Sequence, residues 1–144
     1  MTLDPSVTHI TVEGSCSNDM SLTVLDLSRF QYLKELVVGD ESFMYVNEVK
    51  LIGLHYLESV EIGMNSFTKQ KNSWGNDPNR HFYVKNCPKL KSLKIELYSF
   101  SDYTVCQIEN VDALEVIEIG DVNYGSYNFW HASLKLKSVL IHNE

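Results

Sequence analysis

The chain has 144 residues, of which 44% are hydrophobic and 22% are charged, with a formal net charge of −7 at pH 7. This composition is that of a single globular domain and excludes a disordered or fibrous chain. No apolar stretch approaches the roughly 18 residues of a membrane span, the first residues lack signal-peptide features, and the scattered Lys and Arg argue against a nucleic-acid partner.

One pattern recurs along the chain: leucine, two residues, an apolar residue, one residue, and a second apolar residue. Its leading leucines are Leu33, Leu57, Leu90 and Leu114. Residues 7–14 are predicted to be an earlier copy, and residues 136–141 a fifth copy that begins at Leu136. Repetition at this period is typical of stacked repeat proteins. The sequence therefore predicts a β-rich right-handed solenoid of about six coils with parallel strands on two faces.

A second apolar pair precedes each leucine by eight and six residues. The pairs are Leu25 and Leu27, Val49 and Leu51, Phe82 and Val84, and Cys106 and Ile108. Because these short stretches alternate with polar residues and are rich in branched and aromatic side chains, they are predicted to be strands. Alternation in the leading strands also predicts a set of inward residues: Leu36, Val38, Val60, Ile62, Leu93, Ile95, Ile117 and Ile119.

Turn residues and aromatic residues recur where the chain must reverse. Gly39, Gly63 and Gly120 close the leading strands, where glycine accepts backbone angles that other residues resist. Asn86 and Asn110 follow the second strands, and asparagine tolerates turns. An aromatic column under the first corner is predicted from four residues: Phe43, Phe67, Phe100 and Tyr124.

Residues 1–144 are predicted to be one solenoid domain with a loop insertion at residues 68–81. The insertion lengthens one coil, is polar and locally basic, and contains Trp74, an aromatic residue suited to anchoring an interface. Packing of Trp74 against the flank of the solenoid is the alternative. Since no polar cap follows Leu140 and Ile141, we expect either a longer array or self-association through the C-terminal coil.

The pattern resembles the leucine-rich repeats, and within them the BspA-like subclass, over residues 7–141. It departs from that subclass where Gly or Glu replaces the proline that commonly follows the first strand. The resemblance implies a recognition protein of the cell surface or a secreted one, whereas the chain itself carries no signal and is equally compatible with the cytoplasm. It also implies that the exposed positions of the first strands, on the concave side, bind the partner.

Those exposed positions are rich in glutamate. The predicted partner-binding residues are Glu35, Val37, Glu61, Lys94, Glu96 and Glu118, together with Trp74 in the insertion. Acidic side chains on adjacent rungs reinforce one another's potential, so we expect a protein partner with a basic surface. The alternative is that these charges only keep an open sheet soluble.

Catalysis is the competing hypothesis. A carbohydrate-active parallel β-helix enzyme, or a carbohydrate-binding protein, has similar coils, and Glu61, Lys94 and Glu118 form a row of the kind such sites use. No nucleophile, metal-ligand or phosphate-loop spacing accompanies this row. Three cysteines without C-x-x-C spacing also argue against a disulfide framework or a zinc site. The sequence therefore predicts a non-enzymatic interaction module with no cofactor and no metal.

Overall fold

The computed structural model of the chain describes residues 3–69, 77–121, 125–130 and 132–137. Every regular element in these ranges is a β-strand, with lengths from 3 to 9 residues. The strands are β1 (His9–Val12), β2 (Val24–Asp26), β3 (Glu35–Val38), β4 (Glu48–Ile52), β5 (Ser59–Ile62), β6 (Asp77–Lys85), β7 (Ser92–Ile95), β8 (Tyr103–Glu109), β9 (Val116–Ile119) and β10 (Ser133–Lys137).

The strands form two parallel five-stranded sheets. The first sheet has the order β1-β3-β5-β7-β9, and the second has the order β2-β4-β6-β8-β10. Consecutive strands alternate between the sheets, so one coil contributes one strand to each. The predicted two-sided solenoid is confirmed, but its described part has five coils instead of six.

The core lies between the two sheets and is built from the predicted apolar positions. In the first sheet, Leu36 is paired with Val60, and Val60 with Leu93, and all three are 2% exposed or less. Leu33, Leu57 and Leu90 are fully buried, whereas Leu114 is half-buried in the last coil. Each of these leucines donates its backbone N–H to the carbonyl three residues earlier, so the corner before each first-sheet strand has one repeated geometry.

The C-terminal coil differs from the prediction. Leu136 was expected to begin a fifth leading strand, yet it lies in β10, which pairs with β8 in the second sheet. The register places Leu134 beside Cys106 and Leu136 beside Ile108, so both leucines occupy second-strand positions. Residues 138–141 of the expected copy lie outside the described residues.

The phenylalanine column forms as predicted except at its C-terminal end. Rings stack with centroids 5.0 Å apart for Phe43 and Phe67, 4.7 Å for Phe67 and Phe100, and 5.0 Å for Phe100 and Phe129. The fourth ring is thus Phe129, whereas the predicted Tyr124 lies outside the described residues. The column fills the corner beyond the first sheet with aromatic surface.

A ladder of buried serines runs beside these rings. The N–H of Ser42 donates to Ser66 Oγ at 3.2 Å, and the N–H of Ser66 donates to Ser99 Oγ at 2.9 Å. The Ser66 hydroxyl in turn donates to the carbonyl of Gly39 at 2.8 Å. Each hydroxyl therefore satisfies backbone groups of the adjacent coil that would otherwise be buried without partners.

Two of the corner glycines are required for a reason other than the predicted one. Gly120 has φ +69°, but Gly39 and Gly63 do not adopt positive φ. A Cβ on Gly63 would lie 2.4 Å from Asp40 Oδ1 and 2.8 Å from the Gly39 carbonyl carbon. Glycine is needed at these two positions because adjacent coils approach each other too closely for a side chain.

Candidate functional site

The outward face of the first sheet carries the predicted binding residues in register. Pairing of β1, β3, β5, β7 and β9 aligns Thr11, Val37, Glu61, Lys94 and Glu118 in one column, which we call the central column. Glu61 and Glu118 are exposed, whereas Val37 and Lys94 are half-buried. Strand alternation produces this arrangement because the inward neighbours of each residue are apolar.

Two further predicted residues flank the central column. Glu35 is half-buried in β3 and belongs to the adjacent column that contains His9, Ser59, Ser92 and Val116. Glu96 is exposed and directly follows β7.

A depression of about 430 Å³ lies on this face. Its lining includes Val37, Glu61, Lys94, Glu96 and Glu118, together with Asp40. The structure thus brings five of the seven predicted site residues to one surface feature, with Glu35 outside its lining. Trp74, the remaining residue, lies outside the described part of the chain.

The acidic groups of this face outnumber its basic groups among the described residues. Within the described residues, none of Glu61, Glu96 and Glu118 forms an ion pair, and neither does Lys94. The depression therefore has four carboxylates, counting Asp40, against one ammonium group. Lys94 lies on the rung between Glu61 and Glu118 and offsets part of their charge. Because carboxylates still outnumber the ammonium group, this face attracts cations.

The outward face of the second sheet is organised differently. Lys50 Nζ lies 3.1 Å from Glu48 Oε1, and the Glu109 carboxylate lies 3.9 Å from both Lys85 and Lys135. The hydrogen bond from Lys50 to Glu48 raises the pKa of that lysine. Glu48 and Glu109 thus pair with lysines on the second sheet, whereas Glu61, Glu96 and Glu118 on the first sheet form no ion pair within the described residues.

A buried charged cluster, which sequence reasoning missed, lies where the insertion joins β6. Arg80 is fully buried, and its Nη1 donates to Asp102 Oδ2 at 2.7 Å. Its Nη2 donates to the carbonyls of Met44 at 2.6 Å and Val46 at 2.7 Å. Arg80 therefore links the coils before and after its own. The sequence does indicate this position, because Arg80 alternates with the apolar Phe82 and Val84 and therefore lies on the inward side of β6.

Tyr103 completes this cluster. Its hydroxyl donates to the carbonyl of Val46 at 2.5 Å, and its ring centroid lies 4.9 Å from the guanidinium carbon of Arg80. Burial raises the pKa of Tyr103 far above its usual value, so the hydroxyl remains a donor.

The C-terminal part of the predicted insertion is a strand and not a loop. Residues 77–81 belong to strand β6, and residues 70–76 lie outside the described ranges. Because Arg80 is buried against Asp102, it adds no positive charge to the surface, although the sequence counted it toward a locally basic segment. Lys69 is exposed, with its ammonium group 5.4 Å from the Tyr45 ring centroid.

The cysteines differ in exposure. Cys16 is exposed, whereas Cys87 and Cys106 are buried. Burial raises the pKa of both thiols, to about 12 for Cys106, so neither forms a thiolate at neutral pH. The described ranges contain no group of three or more His, Cys, Asp or Glu side chains placed to hold a metal ion. They also contain no helix long and apolar enough to cross a membrane.

The fold and this face together define the class of protein: a parallel β-solenoid with carboxylates in excess on the outward face of one sheet. Comparison with known proteins finds no matching family model, no similar curated protein and no similar solved structure. The geometry of the solenoid and the charge on its faces are therefore the observations that bear on its function.

Proposed function

We propose that this chain is a non-catalytic recognition module that binds a protein with a basic surface through the outward face of the first sheet. The observation that carries the proposal is the difference between the two sheets. On one sheet lysines pair with Glu48 and Glu109, while within the described residues Glu61, Glu96 and Glu118 form no ion pair on the other. A basic partner would supply the missing cations and gain in association rate as well as specificity.

The proposal includes the insertion at residues 68–81 as a second contact region, with Trp74 as its anchor. The recurrent leucine pattern also supports assignment to the leucine-rich repeats of the BspA-like type. In that family the exposed positions of the first strands bind the partner, often at a cell surface. The positions of Glu61, Lys94 and Glu118 in this chain correspond to them.

Charge reversal on the first sheet tests this function. The double variant Glu61→Lys with Glu118→Lys is compared with the wild-type chain in calorimetric titrations of a decalysine peptide over a series of salt concentrations. We expect the variant to bind about tenfold more weakly at low salt, a loss of about 1.4 kcal/mol, because two attractive charges become repulsive. Its affinity should also depend less steeply on salt.

A matched variant on the second sheet controls for net charge. Glu48→Lys with Glu109→Lys changes the total charge equally but alters acids that already have lysine partners. Equal loss of affinity in both double variants would contradict a specific role for the first sheet. Turnover of a glycan by the wild-type chain that disappears in Glu118→Gln would instead favour the catalytic hypothesis.

A further inference from the structure

The N-terminal end of the stack has an open apolar groove. Its volume is about 530 Å³, and its lining includes the inward side chains Ile10, Val12, Leu25 and Leu27. The groove exists because the first coil has Ser17 where later coils have phenylalanine. The N–H of Phe67 donates to the carbonyl of Ser42, the residue just before the equivalent Phe43 of the preceding coil. In the same way, the N–H of Phe43 donates to the carbonyl of Cys16, so the equivalent residue of the first coil is Ser17.

The C-terminal end of the described stack exposes apolar side chains at inward positions. Ile117 and Ile119 are 43% and 39% exposed, and Leu134 and Leu136 are 60% and 59% exposed. Their register partners in the preceding coil are Leu93, Ile95, Cys106 and Ile108, which are 2% exposed or less. The two ends thus present surfaces that the other coils bury against each other.

We propose that copies of this chain associate end to end, with β9 and β10 of one copy against β1 and β2 of the next. These four strands are the outermost described strands of the two sheets, so none of them pairs on its outer side with another described strand. Continuing the observed register places Ile117 and Ile119 beside Ile10 and Val12 of the next copy. In the second sheet, Leu134 and Leu136 would lie beside Leu25 and Leu27.

Charge favours this occupant and this orientation. The outward column of the second sheet runs Asp26, Lys50, Tyr83, Gln107 and Lys135. Adding β2 of the next copy beside β10 in this register places Asp26 of that copy next to Lys135, and both side chains are exposed. On the first sheet, the same arrangement places Glu118 beside the neutral Thr11, so no like charges meet in that column.

The contact joins two different surfaces and continues the translation of the coils, so each added copy leaves a free end for the next. Such heterologous contacts produce linear oligomers that lengthen with concentration. The central column lies on the outward side of the first sheet and stays accessible in the oligomer. Association would therefore extend the acidic face and increase avidity for a basic surface with repeated charges. The end-to-end contact itself does not depend on the proposed function.

Sedimentation velocity over a dilution series of the whole chain tests the proposal. We expect the weight-average mass of the wild-type chain to rise steadily with concentration. Leu134→Glu with Leu136→Glu should remain monomeric, and circular dichroism should show its fold unchanged because both side chains are already more than half exposed. A wild-type monomer at every concentration, or a dimer that grows no further, would overturn the proposal.

A charge swap tests the orientation without touching the core. Asp26→Lys and Lys135→Asp should each weaken association about threefold to tenfold, and the chain carrying both should regain it, because the pair is restored with reversed polarity. Glu58→Lys, an equal charge change on an exposed corner away from both ends, should have no effect. Association in the double variant that is weaker than in either single variant would contradict the predicted contact.

Discussion

At the scale of single residues, Arg80 shows how a charged side chain can belong to the interior of a solenoid. The guanidinium group gives its hydrogen bonds to Asp102 and to two carbonyls of the preceding coil, and these partners are buried with it. Arginine suits this role because its planar fork can address several acceptors at once. The cost of desolvating the charges is offset by pairing, so removal of one partner is more damaging than removal of both.

The variant Arg80→Met is expected to lower the free energy of unfolding by about 3–5 kcal/mol, because it leaves the buried Asp102 carboxylate without its cation and the Met44 carbonyl without its donor. Urea denaturation measures the loss. Lys50→Met is the control, since its partner Glu48 is at the surface, and it should cost about 1 kcal/mol or less. Adding Asp102→Asn to Arg80→Met should recover part of the loss. Equal stability of Arg80→Met and Lys50→Met would contradict a structural role for the buried pair.

At the scale of the coil, two kinds of glycine support the stacking of strands. Gly63 is needed for close approach, because its missing Cβ leaves room for Asp40 and Gly39 of the preceding coil. Gly53 is needed for conformation, with φ +69° and no atom near the position of a Cβ. Its equivalents in the next two coils are Asn86 and Asn110, both with φ 55°. The same residue type therefore meets two separate physical requirements.

Gly63→Ala is expected to destabilise the chain by about 1–3 kcal/mol, because the added methyl group forces adjacent coils apart. Gly53→Asn should change stability by less than about 0.5 kcal/mol, since asparagine already adopts this conformation in the equivalent positions. Urea denaturation of both variants provides the comparison. The close-approach explanation fails if Gly53→Asn proves the more damaging of the two.

The repeated part of the fold was predictable because alternation and spacing are local properties. Residues such as Val60 and Glu61 are adjacent in sequence and face opposite sides of β5, so the pattern fixed both the core and the central column. The last coil was misassigned because Phe129 follows Ile119 by ten residues, whereas Phe100 follows Ile95 by five. That extra length shifts every later position, and Leu136 therefore belongs to the second sheet.

Interactions between distant residues were not predictable in the same way. Arg80 and Asp102 are 22 residues apart, and nothing in either local pattern indicates the pairing. The unequal treatment of charge on the two sheets was equally hidden, because it depends on which side chains become neighbours across strands. The sequence therefore predicted which residues align on the outward face of the first sheet, while the structure added which of them form no ion pair within the described residues.

At the scale of the whole molecule, the solenoid is a one-dimensional stack in which each coil contacts mainly its neighbours. Because the coils stack in register, equivalent residues of successive coils form columns, and the two ends of the stack present chemically similar surfaces. The acidic face and the proposed end-to-end contact both result from this stacking of equivalent coils. Each depends on the same register that aligns Thr11, Val37, Glu61, Lys94 and Glu118.

The distance between spin labels at Thr11→Cys and Glu118→Cys tests that register most directly. With Cys16→Ser as background, the buried Cys87 and Cys106 should stay unlabelled in the folded chain. At a concentration where the chain is monomeric, pulsed electron resonance should give a distribution centred near about 19 Å, four strand spacings, broadened by the label linkers. A distance far longer than this, or a label at position 118 buried by a one-residue shift of register, would contradict the stacked column.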